Sequence, residues 1–165
     1  MITLTDKLQT LMQEKSLRLR KITLLDIAAV QEIERNSFPD PWTRETLEDA
    51  IISFSDTVFI AESSGEIYGY IICGIEDTGE DCFGHICSLA VRPDMRKMGI
   101  GTTLVKRAER AAIMDKATAM QLEVRVSNTE AIRFYTKLGY EPVFHICGYY
   151  ADTEDAIVMM KWFRL

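Results

Sequence analysis

Arg96-Lys97-Met98-Gly99-Ile100-Gly101-Thr102 follows an apolar run that ends at Val91 and precedes a helical pattern. Glycine lets a backbone approach a ligand closely, and the first N–H groups of a helix have no partner within it. Such a turn favours phosphate oxygens, and Arg96 and Lys97 add positive charge at the same place. The G-x-x-x-x-G-K-[ST] pattern and the full G-x-G-x-x-G fingerprint are both absent. Taken alone, the stretch reads either as a pyrophosphate cradle or as a glycine-softened turn with two solvated cations.

Downstream, Leu104, Val105, Ala108, Ala111 and Ala112 recur at helical spacing. Gln121 to Val126 then reads as a strand, and Ser127-Asn128-Thr129-Glu130 as a capping box. It opens a helix marked by Ala131, Ile132, Tyr135 and Leu138 and closed by Gly139. Two strands, near 141–147 and 155–162, finish the chain. Upstream, strands are expected at 57–63, 67–75 and 83–91, the first two joined at Ser64-Gly65. Leu17 to Ile22 reads as a first strand, and Thr23-x-x-Asp26 caps a helix through Ile27, Val30 and Ile33. Prolines 39 and 41 stop that helix, and a second runs from Thr43 to about Ile52. The order predicts a mixed α/β sheet, not a βαβ repeat. Residues 1–16 are expected to form an N-terminal extension helix, since Leu4, Leu8 and Leu11 fall on one face. It could act as a packing arm, a homodimer contact or a tail.

The 165 residues fit one domain, and 47% hydrophobic content can supply its core. A net charge of -6 argues against a broad grip on nucleic acid. No apolar run approaches the roughly 20 residues that span a bilayer. Cys73, Cys82, Cys87 and Cys147 form no C-x-x-C pair, and no secretory pattern opens the chain. They are expected to be small reduced core residues of a cytoplasmic protein.

Arg96-x-x-Gly99-x-Gly101 resembles the R/Q-x-x-G-x-G/A signature of the GNAT superfamily of acyl-CoA-dependent N-acyltransferases. Ser88-Leu89-Ala90-Val91-Arg92-Pro93 before it is similar to the same family. So is Leu122-Glu123-Val124-Arg125-x-Ser127-Asn128-x-x-Ala131-Ile132-x-Phe134-Tyr135-x-x-Leu138-Gly139-Tyr140 after it. The likeness covers residues 17–163. It implies the GNAT fold for one domain, 17–165: an α/β, mostly antiparallel sheet of six to seven strands with a central splayed pair and helices on both faces. Phe38-Pro39-x-Pro41-Trp42, Gly84-His85-Ile86 and Tyr149-Tyr150 with Asp155-Ala156 resemble the RimI and archaeal types of protein N-terminal acetyltransferase.

The resemblance implies direct transfer from acetyl-CoA to the α-amine of a protein, ribosomal proteins among the targets. Backbone N–H groups of Arg96, Lys97, Met98, Gly99, Ile100, Gly101 and Thr102 would hold the cofactor, with Asn128. The backbone of Leu89, Ala90 and Val91 would pair with its pantetheine arm, while the side chains of Leu89 and Val91 pack as core. Tyr135 would be the acid toward the leaving sulfur. Strand alternation turns Glu123 away from the packing side of Leu122 and Val124, so its carboxylate can take an amine proton directly or through a water. His85 is the second candidate base. Phe38, Asp40, Trp42, Tyr149 and Tyr150 would grip the substrate; related enzymes carry a longer Glu where Asp40 stands. No metal is expected. An α-amine loses its proton at neutral pH for about 1 kcal/mol, against about 4–5 for lysine, so a modest base suits an N-terminus. The rival readings are a relative acting on lysine or a small amine, and a non-catalytic acyl-CoA sensor.

Overall fold

The computed structural model describes residues 17–164; the extension helix expected over 1–16 lies outside them. The elements are β1 (Arg18–Lys21), α1 (Ile27–Ser37), α2 (Arg44–Ser53), β2 (Val58–Ser63), β3 (Glu66–Asp77) and β4 (Cys82–Val91). They continue with α3 (Ile100–Met114), β5 (Ala119–Arg125), α4 (Thr129–Lys137), β6 (Glu141–Ile146) and β7 (Ala156–Trp162). Their order in one seven-stranded sheet is β1-β2-β3-β4-β5-β7-β6. β1 with β2, β2 with β3, β5 with β7 and β6 with β7 run antiparallel. β4 and β5 run parallel, in register from Phe83↔Ala119 to Ile86↔Leu122. β4 continues beyond that register to Val91 and β5 to Arg125. None of the helices is long and apolar enough to cross a membrane.

The chain forms two compact units. The first runs to Ile72 and adds Ser88–Ala108; the second comprises Cys73–Cys87 and Glu109 onward. In the first, Ile27, Val30 and Ile33 of α1 and Leu47 of α2 are at most 3% exposed, as are Phe59, Ile60 and Ile71 of the strands. The Thr23 N–H donates to Asp26 Oδ2 at 2.8 Å, so the expected cap forms, through a 3-10 turn over Leu24–Asp26. α1 ends at Ser37 before the prolines, and Thr43 caps α2 by accepting from the Thr46 N–H. Ser64 and Gly65 both have positive φ, which closes the β2–β3 turn. Leu104, Val105 and Ala108 of α3 are fully buried. Burial of each large aliphatic side chain contributes about 1.5–3 kcal/mol.

In the second unit, Ala119, Val158 and Met160 form a buried cluster with Phe83, Val143 and Ile146 against it. β5 begins two residues before the expected Gln121, because Ala119 and Met120 are wholly buried and pair with β7. The α4 cap is a correction: Ser127 and Glu130 form no capping box, and Asn128 caps instead, accepting from the Ala131 N–H at 3.1 Å. Gly139, at φ 94, ends the helix as expected, with Tyr140 N–H donating back to the Tyr135 carbonyl. Glu109 anchors the unit: it accepts from Tyr140 Oη at 2.9 Å and from Lys161 Nζ at 2.9 and 3.0 Å. A Cβ on Gly84 would lie 2.5 Å from Met120 Sδ and 3.0 Å from the Ala112 Cβ, so a larger residue beside His85 would force the Met120 side chain to move. The cysteines also depart from expectation. Cys73 is core, Cys82 and Cys87 are half-buried, and Cys147 is exposed; no disulfide joins them.

Candidate active site

Alternation on β4 and β5 sends the side chains of Ile86 and Leu122 into the second unit's core and those of His85 and Glu123 to the half-exposed face. The register His85↔Gln121 puts Glu123 one residue pair further along the same face. His85 Nε2 lies 2.7 Å from Glu123 Oε2, and His85 Nδ1 lies 2.7 Å from Glu76 Oε1. Gln121 Nε2 donates to the other Glu76 oxygen at 3.2 Å. Two ionised carboxylates accept from both ring nitrogens only if both carry protons, so this geometry selects the imidazolium. Its hydrogen bond to Glu123 raises the His85 pKa most; partial burial opposes the rise, and Glu76 adds to it.

Tyr149 and Tyr150 belong to the same unit and meet edge to face, with centroids 5.0 Å apart. Burial and then the charge of Glu123 raise the Tyr149 pKa. Burial pushes Tyr150 up to about 12. Arg125 stacks 4.0 Å above the Tyr150 ring and pairs at 2.8 Å with both Asp152 and Glu154. Glu154 also accepts from the Ser127 N–H at 3.0 Å and from its hydroxyl, which ties the tyrosine loop to the end of β5. Tyr135 is 8% exposed and packs edge-on to Phe134 and Tyr140 at 5.0 and 5.4 Å. Burial raises its pKa well above the ordinary phenol value. The Asn128 carbonyl oxygen is committed to its cap.

The turn over 96–102 belongs to the first unit. Pro93–Met95 makes a 3-10 turn, Lys97 and Gly99 have φ of 61° and 82°, and α3 begins at Ile100. The left-handed residues aim the chain so that the N–H groups of Ile100, Gly101 and Thr102 open the helix without intrahelical partners. Arg96 is exposed, and its Nε donates to the Val91 carbonyl at 2.9 Å and its Nη2 to Ser37 Oγ at 3.2 Å. Leu89 and Val91 also differ from the core role expected for them; they lie on the half-exposed face, while Ala90 is buried.

Phe38, Asp40 and Trp42 also belong to the first unit; Phe38 and Trp42 are half-buried and Asp40 is exposed. The Trp42 N–H donates to buried Glu34 at 3.0 Å. The second oxygen of Glu34 accepts from the Tyr70 hydroxyl and, at 3.2 Å, from Ser88 Oγ. Sequence reasoning missed Glu34, Glu76, Gln121 and Glu154. Glu76 escaped because β3 runs two residues past its expected end at 75, carrying Glu76 to within reach of His85.

The chain matches the model of the acetyltransferase (GNAT) family over residues 27–140. It is 40% identical to the uncharacterized N-acetyltransferase MJ1530 of Methanocaldococcus jannaschii, over 87% of this chain and 90% of that protein. It is 34% identical to the N-alpha-acetyltransferase of Sulfurisphaera tokodaii, over 88% and 92%. Among solved structures, Ard1 from Thermoplasma volcanium superposes with a TM-score of 0.85 at 25% identity, covering 90% of this chain and 99% of that one. With strand order, turn and sequence agreeing, the chain belongs to the acetyltransferase (GNAT) family.

Proposed function

We propose that this chain acetylates the N-terminal α-amine of proteins in the cytoplasm, with residues 17–165 as its single catalytic domain. The observation that carries the reading is His85 clamped at 2.7 Å between Glu123 and Glu76. A carboxylate fixed by an imidazolium is a modest base, matched to an α-amine that costs about 1 kcal/mol to deprotonate and poorly matched to lysine. The name of the Sulfurisphaera relative supports the same substrate class.

Acetyl-CoA supplies an acyl carbonyl attached to a thiolate leaving group. The open N–H groups after Gly99 fit its diphosphate. Backbone amides from Arg96 to Thr102 would hold it, and the strand backbone at Leu89, Ala90 and Val91 would orient the arm that follows. Lys97, exposed beside the turn, adds charge, and Asn128 lends its amide from the start of α4. Glu123 would take a proton from the α-ammonium, directly or through a water, and leave the neutral amine as the nucleophile. His85 holds the carboxylate in place, and Glu76 keeps His85 charged. Tyr135 would act as the acid toward the leaving sulfur; burial makes it a weaker acid than an exposed phenol, so it would donate a hydrogen bond before it gave up its proton. In the first unit Phe38, Asp40 and Trp42 are candidate substrate contacts, the Trp42 N–H being held by Glu34; in the second unit Tyr149 and Tyr150, braced by Arg125, are candidates of the same kind.

The test is mass spectrometry of a peptide library carrying both free N-termini and internal lysines, after incubation with the protein and acetyl-CoA. The expected product is acetylated at the N-terminus with lysines untouched. Acetylation confined to lysine would overturn the substrate, and no acetylation of any peptide would overturn the activity.

A further inference from the structure

A second cluster of titratable side chains stands apart in sequence and composition from His85 and its carboxylates. β6 and β7 form an antiparallel ribbon with His145 opposite Ile157 and Ile146 opposite Ala156. Cys147 follows the last residue of β6 and Asp155 precedes the first of β7, so both stand where the ribbon opens into its connecting loop. The three side chains converge: His145 nitrogen, Cys147 sulfur and an Asp155 oxygen all lie within 4.8 Å of one another.

We propose that His145, Cys147 and Asp155 form a binding site for a divalent metal ion of the zinc class. Imidazole, thiolate and carboxylate together make the mixed nitrogen, sulfur and oxygen set that suits zinc, and they disfavour magnesium or calcium, which take oxygen alone. Bond lengths near 2.0–2.3 Å in a tetrahedron separate donors by roughly 3.3–3.8 Å. His145 Nε2 and Asp155 Oδ2 are now 2.7 Å apart, so they need open by only about 1 Å. Asp155 is also held from behind, its other oxygen accepting from the Gly148 N–H at 2.8 Å. Such outer support orients a ligating carboxylate. The His145 side chain is 57% exposed, which leaves the fourth position to water and gives the ion a path in. Binding displaces the proton between His145 and Asp155 together with the thiol proton of Cys147. The ion would then pin both ends of the loop that carries Tyr149 and Tyr150.

The test uses the full chain, stripped of metal and titrated with Zn2+ against a chromophoric chelator, and separately with Co2+ followed optically. Wild type should take up one equivalent, and cobalt should give a thiolate charge-transfer band with the intense visible bands of tetrahedral coordination. Cys147→Ser should abolish the charge-transfer band. It and His145→Ala should each weaken zinc by more than about 100-fold, the upper end of what losing outer support alone costs. Glu123→Gln should bind as wild type does. No uptake by the wild type, uptake unchanged in Cys147→Ser and His145→Ala, or uptake lost in Glu123→Gln would each overturn the site. None of these readouts depends on acetyl transfer.

Discussion

The two nitrogens of the His85 ring are both held by side chains, whereas across 96–102 the Arg96 side chain turns back onto Val91 and Ser37 and the groups proposed to meet the cofactor are main-chain N–H groups. Residue identity matters in the first region, and a shorter or neutral side chain breaks it. Backbone conformation matters in the second, and a residue that tolerates the same φ leaves it intact.

The largest expected effect is on the side-chain region. Glu123→Gln should lower kcat/KM for an N-terminal peptide by about 10²–10⁴, the usual worth of a general base. Calorimetry should find its affinity for acetyl-CoA unchanged, because the turn is untouched. Tyr135→Phe removes one hydroxyl from a packed ring and should lower kcat by about 10–100-fold, with KM for acetyl-CoA little altered in steady-state assays. In the backbone region, Gly99→Ala forces a Cβ into φ 82°, which costs about 1–2 kcal/mol. Acetyl-CoA should bind about tenfold more weakly to this variant, with kcat at saturation nearly preserved. Should Gly99→Ala instead abolish kcat and leave affinity intact, the division between the regions fails. The smallest effect belongs to Glu76→Gln, which leaves the Glu123 contact in place and should cost under about tenfold in kcat/KM.

Much of this was legible in the sequence because the periodicities are strong. The apolar positions from Leu104 to Ala112 predicted the buried face of α3, and Leu122 and Val124 predicted which way Glu123 faces. Strand ends were less legible. A strand's last residues are half-exposed and polar, so Glu76 read as loop although hydrogen bonding carries β3 through Asp77. Caps were ambiguous for a related reason: Ser127 and Asn128 are both good cap residues, and the distant Glu154 decides between them by taking the Ser127 N–H. Buried partners separated by long stretches, such as Glu34 with Tyr70 and Ser88, leave no local pattern.

The sharpest test of the proton route is the charge of His85 itself, followed by 15N NMR of the imidazole through a pH titration of wild type, Glu76→Gln and Glu123→Gln. Both carboxylates raise the His85 pKa, Glu123 more than Glu76. Wild type should stay doubly protonated to a higher pH than the ordinary histidine value of about 6.5; Glu76→Gln should lose that proton at lower pH than wild type, and Glu123→Gln at lower pH still. A neutral wild-type ring at pH 7, titrating at or below the ordinary value, would contradict a Glu123 base held by an imidazolium.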